Sequence, residues 1–164
     1  MDVAIIGAGL AGLTAGRVLK GRGRSVAILD KGRGVGGRMA TRRIGEARFD
    51  TGAQFFTARS GGFSEFIETT LLPAGAAELW YSRGEERYYR GDPAMTGPAK
   101  LLAAELNVST STKVSALEPG GSGWTVRLAA EHERLGKTIE SRAILATPPV
   151  PQTLRLLGPA VDQI

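Results

Sequence analysis

Six residues near the start of the chain, Gly7-Ala8-Gly9-Leu10-Ala11-Gly12, have the types and spacing to hold a phosphate with backbone alone. A glycine at the first position permits a tight turn, and the second lets main chain approach a pyrophosphate. The third lets a helix lie close on a strand. Unpaired N–H groups at the helix start, reinforced by the helix dipole, then face the anion. Asp30 follows 18 residues after Gly12. A carboxylate at that place accepts hydrogen bonds from the ribose hydroxyls of an adenosine dinucleotide. Alone, the glycine pattern is a weak signal, because glycines used only for close packing produce it too.

The stretch "DKGRGVGGRMATRR", Asp30 to Arg43, holds four glycines and five basic residues behind its single acid. It would serve as a nucleic-acid-binding arm, as a flexible basic linker, or as a second loop wrapped around a phosphate. Lys31 opens it, and the pair Gly36-Gly37 followed by Arg38 and Met39 is its densest part. A glycine pair brings backbone donors to an anion, and an arginine adds a planar guanidinium fork.

These residues need elements to position them. "DVAIIG" and "SVAILD" read as short buried strands, each apolar and rich in β-branched residues. Between them "LAGLTAGRVLKGRG" reads as a helix with Ala11, Ala15, Val18 and Leu19 on its inner face, stopped by Gly21 and Gly23. The result is a β-α-β unit of a parallel sheet. "EARFDTGAQFFTAR" is extended around Gly52, and "GGFSEFIETTLL" is helical up to Pro73. "ELWYSRGEERYYR" is a hairpin, and "TGPAKLLAAEL" is a helix with Pro98 in its first turn. Three strand-like runs follow, "NVSTSTKVSALE", "GWTVRLA" and "KTIESRAILAT", and then the proline-rich "TPPVPQ".

Composition narrows the chemistry. The 164 residues suffice for one domain with a core, or one domain and part of another, and 42% hydrophobic content is that of a folded protein. With no cysteine, the chain forms no disulfide, zinc–thiolate site or thiol nucleophile. The single histidine, His132, is flanked by charges and reads as a solvated turn residue, so metal and histidine-triad chemistry drop out. The net charge of +5 invites a nucleic-acid partner, and ten of the 21 basic residues fall between Arg17 and Arg48. Yet aromatic residues are few and do not interleave with them, as a stacking platform requires. General attraction for an anionic dinucleotide accounts for the charge equally well. Asp2 stands where an export signal carries a basic residue, and no apolar run reaches membrane-spanning length, so a soluble cytoplasmic protein is expected.

Taken together, "GAGLAGL", "LDKGRGVGGRMATRR" and "FDTGAQFFTAR" resemble the renalase-like branch of the FAD-dependent amine oxidase superfamily. The likeness continues more loosely through "GDPAMTGPAKLLAAEL" and "ILATPPVPQTLRLL". It implies an α/β, Rossmann-like FAD-binding domain with a parallel sheet and a β-meander, made from residues 1–60 and 95–164. Residues 61–94 would be part of a smaller α+β substrate domain. By the same resemblance, Gly7, Ala8, Gly9, Ala11 and Gly12 hold the pyrophosphate, Asp30 with Lys31 the adenosine side, and Val114 grips adenine through its backbone. Gly37, Arg38 and Met39 line the phosphates and ribityl chain, and Gly52, Ala53 and Gln54 approach the flavin. FAD would be bound noncovalently. It would accept a hydride from a reduced nicotinamide isomer or an amine and be reoxidised by oxygen. Trp80, Tyr88 and Tyr89 would line a substrate pocket or simply pack in the hairpin. Relatives also carry a further segment beyond "LATPPVPQ", so the chain is expected to be an N-terminal half that self-associates or needs its missing part. A non-catalytic dinucleotide-binding fragment and an NAD-dependent dehydrogenase domain are the rival readings.

Overall fold

The structure is a computed structural model that describes residues 1–132 and 135–163. In chain order its elements begin with β1 (Val3–Ile6), α1 (Leu10–Gly21), β2 (Val26–Leu29), β3 (Thr41–Ile44), β4 (Ala47–Asp50) and β5 (Phe56–Thr57). Then come α2 (Gly61–Phe66), β6 (Ala77–Arg83), β7 (Glu86–Gly91), α3 (Gly97–Ala103) and β8 (Val108–Ser109). The last are β9 (Val114–Gly120), β10 (Gly123–His132), β11 (Gly136–Ser141), β12 (Ala143–Ala146) and α4 (Val150–Leu157). The chain divides into two compact units, Met1–Val35 with Glu105–Ile164, and Gly36–Ala104.

The first unit is a parallel sheet in the order β12-β1-β2-β8, joined by an antiparallel β9-β10-β11 meander. Val3 pairs with both Val26 and Ala143, and the register runs on to Ile6 beside Leu29 and Ala146. The central strands are apolar at every position because both sheet faces are covered. On one face Ala4, Ile6 and Leu29 pack with Val114, Leu117, Val126, Leu128 and Ile139 of the meander, and Leu156 and Leu157 of α4 join them. On the other face α1 lies over Ile5 and Ile28.

The inner face of α1 differs from the one its apolar residues suggest. Gly12, Leu13 and Gly16 are buried, whereas Ala11 is exposed and Val18 is 48% exposed. The cause is distance. A Cβ at Gly16 would come within 2.8 Å of Ile28 Cδ1, so the helix sits closer to the sheet than an alanine face allows. Leu13, fully buried, supplies the apolar contact there, worth about 2 kcal/mol. His132 ends β10, opposite Gly136, and its carbonyl accepts the Leu135 N–H at 3.1 Å.

The starts of β1 and β2 are tied together by polar contacts. Asp2 Oδ2 accepts the Ser25 N–H at 2.8 Å and the Ser25 hydroxyl at 2.7 Å. The Ser25 hydroxyl, then its N–H, hold the Asp2 carboxyl below its ordinary pKa, with Arg142 and Arg24 adding to the effect. A carboxyl lowered in the folded state adds stability that is full above its unfolded pKa and fades as pH falls through the folded value. Asp2→Asn is therefore expected to melt below the wild type at pH 7, with the difference closing under about pH 4. Melting curves of both proteins across that range check this, and a gap that widens in acid contradicts it.

In the second unit β5-β7-β6 form an antiparallel sheet, and β3 and β4 form a separate two-stranded ribbon. Ile67, Leu71, Ala76, Ala77 and Tyr89 make the core, with Phe56, Phe63, Phe66 and Leu101 against it. The helix expected over Gly61–Leu72 is capped by Ser60, whose hydroxyl accepts the Phe63 N–H, but it widens to a π turn at Ile67–Leu71. That turn places Ile67 and Leu71, both essentially inaccessible, in the core. Among the described residues no helix is long and apolar enough to cross a membrane.

Candidate functional site

The glycine turn sits between β1 and α1 in the first unit. Gly7 has φ +105°, a conformation that L side chains rarely adopt, and a Cβ there would strike the Thr147 hydroxyl. A Cβ at Gly12 would strike the Gly7 carbonyl oxygen, so the first helical turn lies directly on the glycine turn. Gly9 is the N-cap, in extended backbone without a side-chain cap, and the first turn carries no acid. The opening amides of α1 thus lack intrahelical acceptors, and no acid within the helix's own first turn competes for them.

Asp30 directly follows β2 and is locked in place. Its Oδ2 accepts the Ala8 N–H at 2.6 Å, and its Oδ1 accepts the Gly32 N–H at 2.7 Å. One carboxylate therefore joins the glycine turn to the loop beyond β2. Each of its oxygens keeps a free lone pair for a further donor. The backbone around it is fixed as well: Asp30 N–H donates to Ser109 O, Thr112 N–H to Asp30 O, and Ser111 N–H to Gly32 O. Lys31 is exposed, and its ammonium donates to Gln152 Oε1 at 3.3 Å. Val114, at the start of β9, is buried in the core opposite Leu128. Its side chain serves packing.

Sequence reasoning missed Thr147. Its hydroxyl donates to Ile6 O at 2.9 Å and its N–H to the same oxygen at 3.0 Å, which seats the end of β12 against the glycine turn. The signal was present as a hydroxyl residue closing an apolar run just before Pro148-Pro149.

In the second unit the remaining candidates form one cluster. Gly37, Arg38 and Met39 make a single 3-10 turn, with Gly36 before it at φ +120°. Ala53 N–H donates to the Arg38 carbonyl at 2.9 Å and Thr51 N–H to the Ala40 carbonyl at 3.1 Å. A Cβ at Gly52 would strike the Arg38 carbonyl oxygen. Gln54 folds back through Nε2, donating to Asp50 O at 2.9 Å. Residues 37–39 and 52–54, separate in sequence, are thus zipped together by main chain. The Arg38 side chain is exposed and makes no ion pair among the described residues.

The aromatic residues of the hairpin divide between two faces. Tyr89 points into the core and stacks on Phe56 with centroids 5.8 Å apart. A bulge between Leu79 and Tyr81 lets the adjacent, exposed Trp80 and Tyr81 join exposed Phe55 and half-buried Tyr88 in one cluster, with Tyr81 stacked on Tyr88 at 4.4 Å.

Residues 5–69 match the family of NAD(P)-binding Rossmann-like domains. Over 96 residues, 56% of this chain, the sequence is 32% identical to a protein of Mycobacterium tuberculosis named as a flavin-containing monoamine oxidase, in strains CDC 1551 / Oshkosh and H37Rv. The match spans about a fifth, 21%, of that relative's length. Among solved structures, a CLA-producing fatty acid isomerase from P. acnes superposes with a TM-score of 0.68 at 14% identity, covering 96% of this chain and 61% of that one. OTEMO in complex with FAD and NADP gives 0.58 at 19% identity, covering 90% of this chain and 25% of that one. The chain thus has a Rossmann-like α/β fold with a parallel sheet and meander, and it has distant homology to a flavin-containing amine oxidase.

Proposed function

We propose that the chain is the FAD-holding part of a renalase-like oxidoreductase, one that takes a hydride from a reduced nicotinamide isomer or an amine-type substrate. The observation that carries this reading is that each compact unit holds a backbone-built turn, Gly7–Gly12 beside Asp30 in the first and Gly37–Met39 beside Gly52–Gln54 in the second. Each has a glycine whose Cβ would strike a carbonyl oxygen. A nicotinamide dinucleotide needs only the first of them. The flavin-containing relative supports the same choice.

In this reading the amides at the start of α1 bind the pyrophosphate, and Asp30 accepts the adenosine ribose hydroxyls from a carboxylate already oriented by Ala8 and Gly32. Lys31 lends positive charge beside it. Thr147 holds the glycine turn open to the anion. Arg38 and the backbone at Gly37, Met39, Gly52, Ala53 and Gln54 take the ribityl and flavin half. Bound noncovalently, FAD supplies a hydride acceptor that oxygen returns to its oxidised form.

Arg38→Ala is expected to weaken FAD binding at least about tenfold, the loss of one charge-assisted contact of roughly 1.5–3 kcal/mol. Arg42→Ala and Arg43→Ala, on the exposed ribbon, should leave it within about twofold. Equal losses at all three positions would mean a diffuse basic patch. The function itself is tested by mixing the FAD-loaded chain anaerobically with a dihydronicotinamide isomer or a primary amine. The reading expects the visible flavin band to bleach and air to restore it. A band that no donor bleaches leaves the non-catalytic binding fragment as the better account.

A further inference from the structure

The two turns of the second unit stand at the base of the β3/β4 ribbon, and the ribbon has little to hold it. Residues 42–49 are all exposed, and Arg43 lies directly opposite Arg48, a like-charge pair that disfavours the register. A two-stranded ribbon of this kind is marginal by itself.

Its base pair is Thr41 and Asp50, and here the contacts change character. The Thr41 hydroxyl donates to Asp50 Oδ1 at 2.5 Å and accepts both the Thr96 N–H and the Thr96 hydroxyl at 3.2 Å. One donor and two acceptor positions are then all used, the full capacity of a hydroxyl. Asp50 Oδ1 also accepts the Met95 N–H at 3.0 Å, and Met95 is fully buried. The Thr96 methyl lies where a Cβ at Gly36 would approach it to 3.1 Å. Thr96 therefore braces the entry to the Gly37–Met39 turn while its polar atoms fix Thr41, two residues past that turn. Asp50, in turn, is two residues before Gly52.

We propose that Asp50, Thr41 and Thr96 are positioning residues that set the two turns at the spacing the flavin half of the cofactor requires. The proposal rests on the FAD reading above. Removing the Thr41 hydroxyl unties Asp50 from Thr96 and lets the turns drift apart at the Arg38–Ala53 contact, without touching the glycine turn of the first unit.

The test compares the wild type with Thr41→Val, nearly the same shape without the hydroxyl, and Thr41→Ser, which keeps it. ADP and FAD serve as probes by calorimetry, and hydrogen exchange at the Ala53 amide is read without any ligand. Thr41→Val is expected to weaken FAD at least about tenfold and to leave ADP within about twofold. Exchange at Ala53 should quicken at least about tenfold, and Thr41→Ser should return FAD affinity and Ala53 exchange to their wild-type values while ADP stays unchanged. Unchanged FAD binding, equal loss of ADP and FAD, or a serine variant that fails to rescue overturns the proposal. A wild-type chain that binds no FAD defeats the cofactor reading before any variant is made. Exchange at Ala53 then still decides whether these residues hold the turns: quickened supports them, unchanged overturns them.

Discussion

Replacing Gly12 with alanine is expected to weaken ADP and FAD binding together by at least about a hundredfold and to lower the melting temperature. The added methyl meets the Gly7 carbonyl oxygen, a backbone atom with no rotamer to escape into. Either α1 lifts from the glycine turn or the turn itself opens. Overpacking of this kind costs roughly 1–3 kcal/mol of stability, or a few degrees for each kcal/mol in a chain of this size. The loss of affinity should be larger. The opening amides of α1 and the Ala8 N–H that orients Asp30 move as one body, so two or more anion contacts weaken at once. At about 1.5 kcal/mol or more for each charge-assisted contact, a loss of at least about a hundredfold follows. Gly34→Ala is the control. A Cβ there meets nothing within 4 Å, and both ligands should bind it normally. Calorimetry with ADP on the two variants decides the matter, and equal binding by Gly12→Ala and Gly34→Ala would remove the glycine turn from the site.

Gly52→Ala should separate the two halves of the cofactor. Its methyl would strike the Arg38 carbonyl oxygen, and the carbonyl carbon lies only 2.8 Å away. The Ala53 N–H contact to that same oxygen must then break, and the turn carrying Arg38 moves off the segment carrying Gln54. FAD affinity is expected to fall about ten- to a hundredfold, the effect of losing one or two such contacts. ADP, which lacks the flavin half, should bind within about twofold of the wild type. Fluorescence titration with FAD beside calorimetry with ADP reads both. Equal weakening of the two ligands would mean that the change acts on the whole fold rather than on one end of the cofactor.

What the sequence made legible follows how local each signal is. The β-α-β start could be read because glycine spacing, two apolar runs and a terminal acid all lie within thirty residues. The face of α1 could not, since apolar residues are only one way to bury a helix. Where Gly12 and Gly16 face the sheet, close approach excludes side chains altogether, and Val18 is left outside. Thr147 escaped notice because it acts on Gly7, 140 residues away, and only the pairing of β12 with β1 brings them together. Thr41 and Thr96, 55 residues apart, look like ordinary hydroxyl residues until the ribbon base closes. The hairpin aromatics were recognised as a group, but the bulge that puts Trp80 and Tyr81 on one face leaves no mark in the pattern of residue types.

Direct competition among ligands reaches the central claim. The purified 164-residue chain is titrated by calorimetry with FAD, ADP and NAD+, and the bound fraction of FAD is confirmed from its quenched fluorescence. If the second turn cluster holds the flavin half, FAD binds one per chain and at least about tenfold more tightly than ADP, with NAD+ no better than ADP. NAD+ binding as tightly as FAD, or FAD binding no better than ADP, would contradict it and leave the chain a nucleotide-binding fold with no preference for flavin.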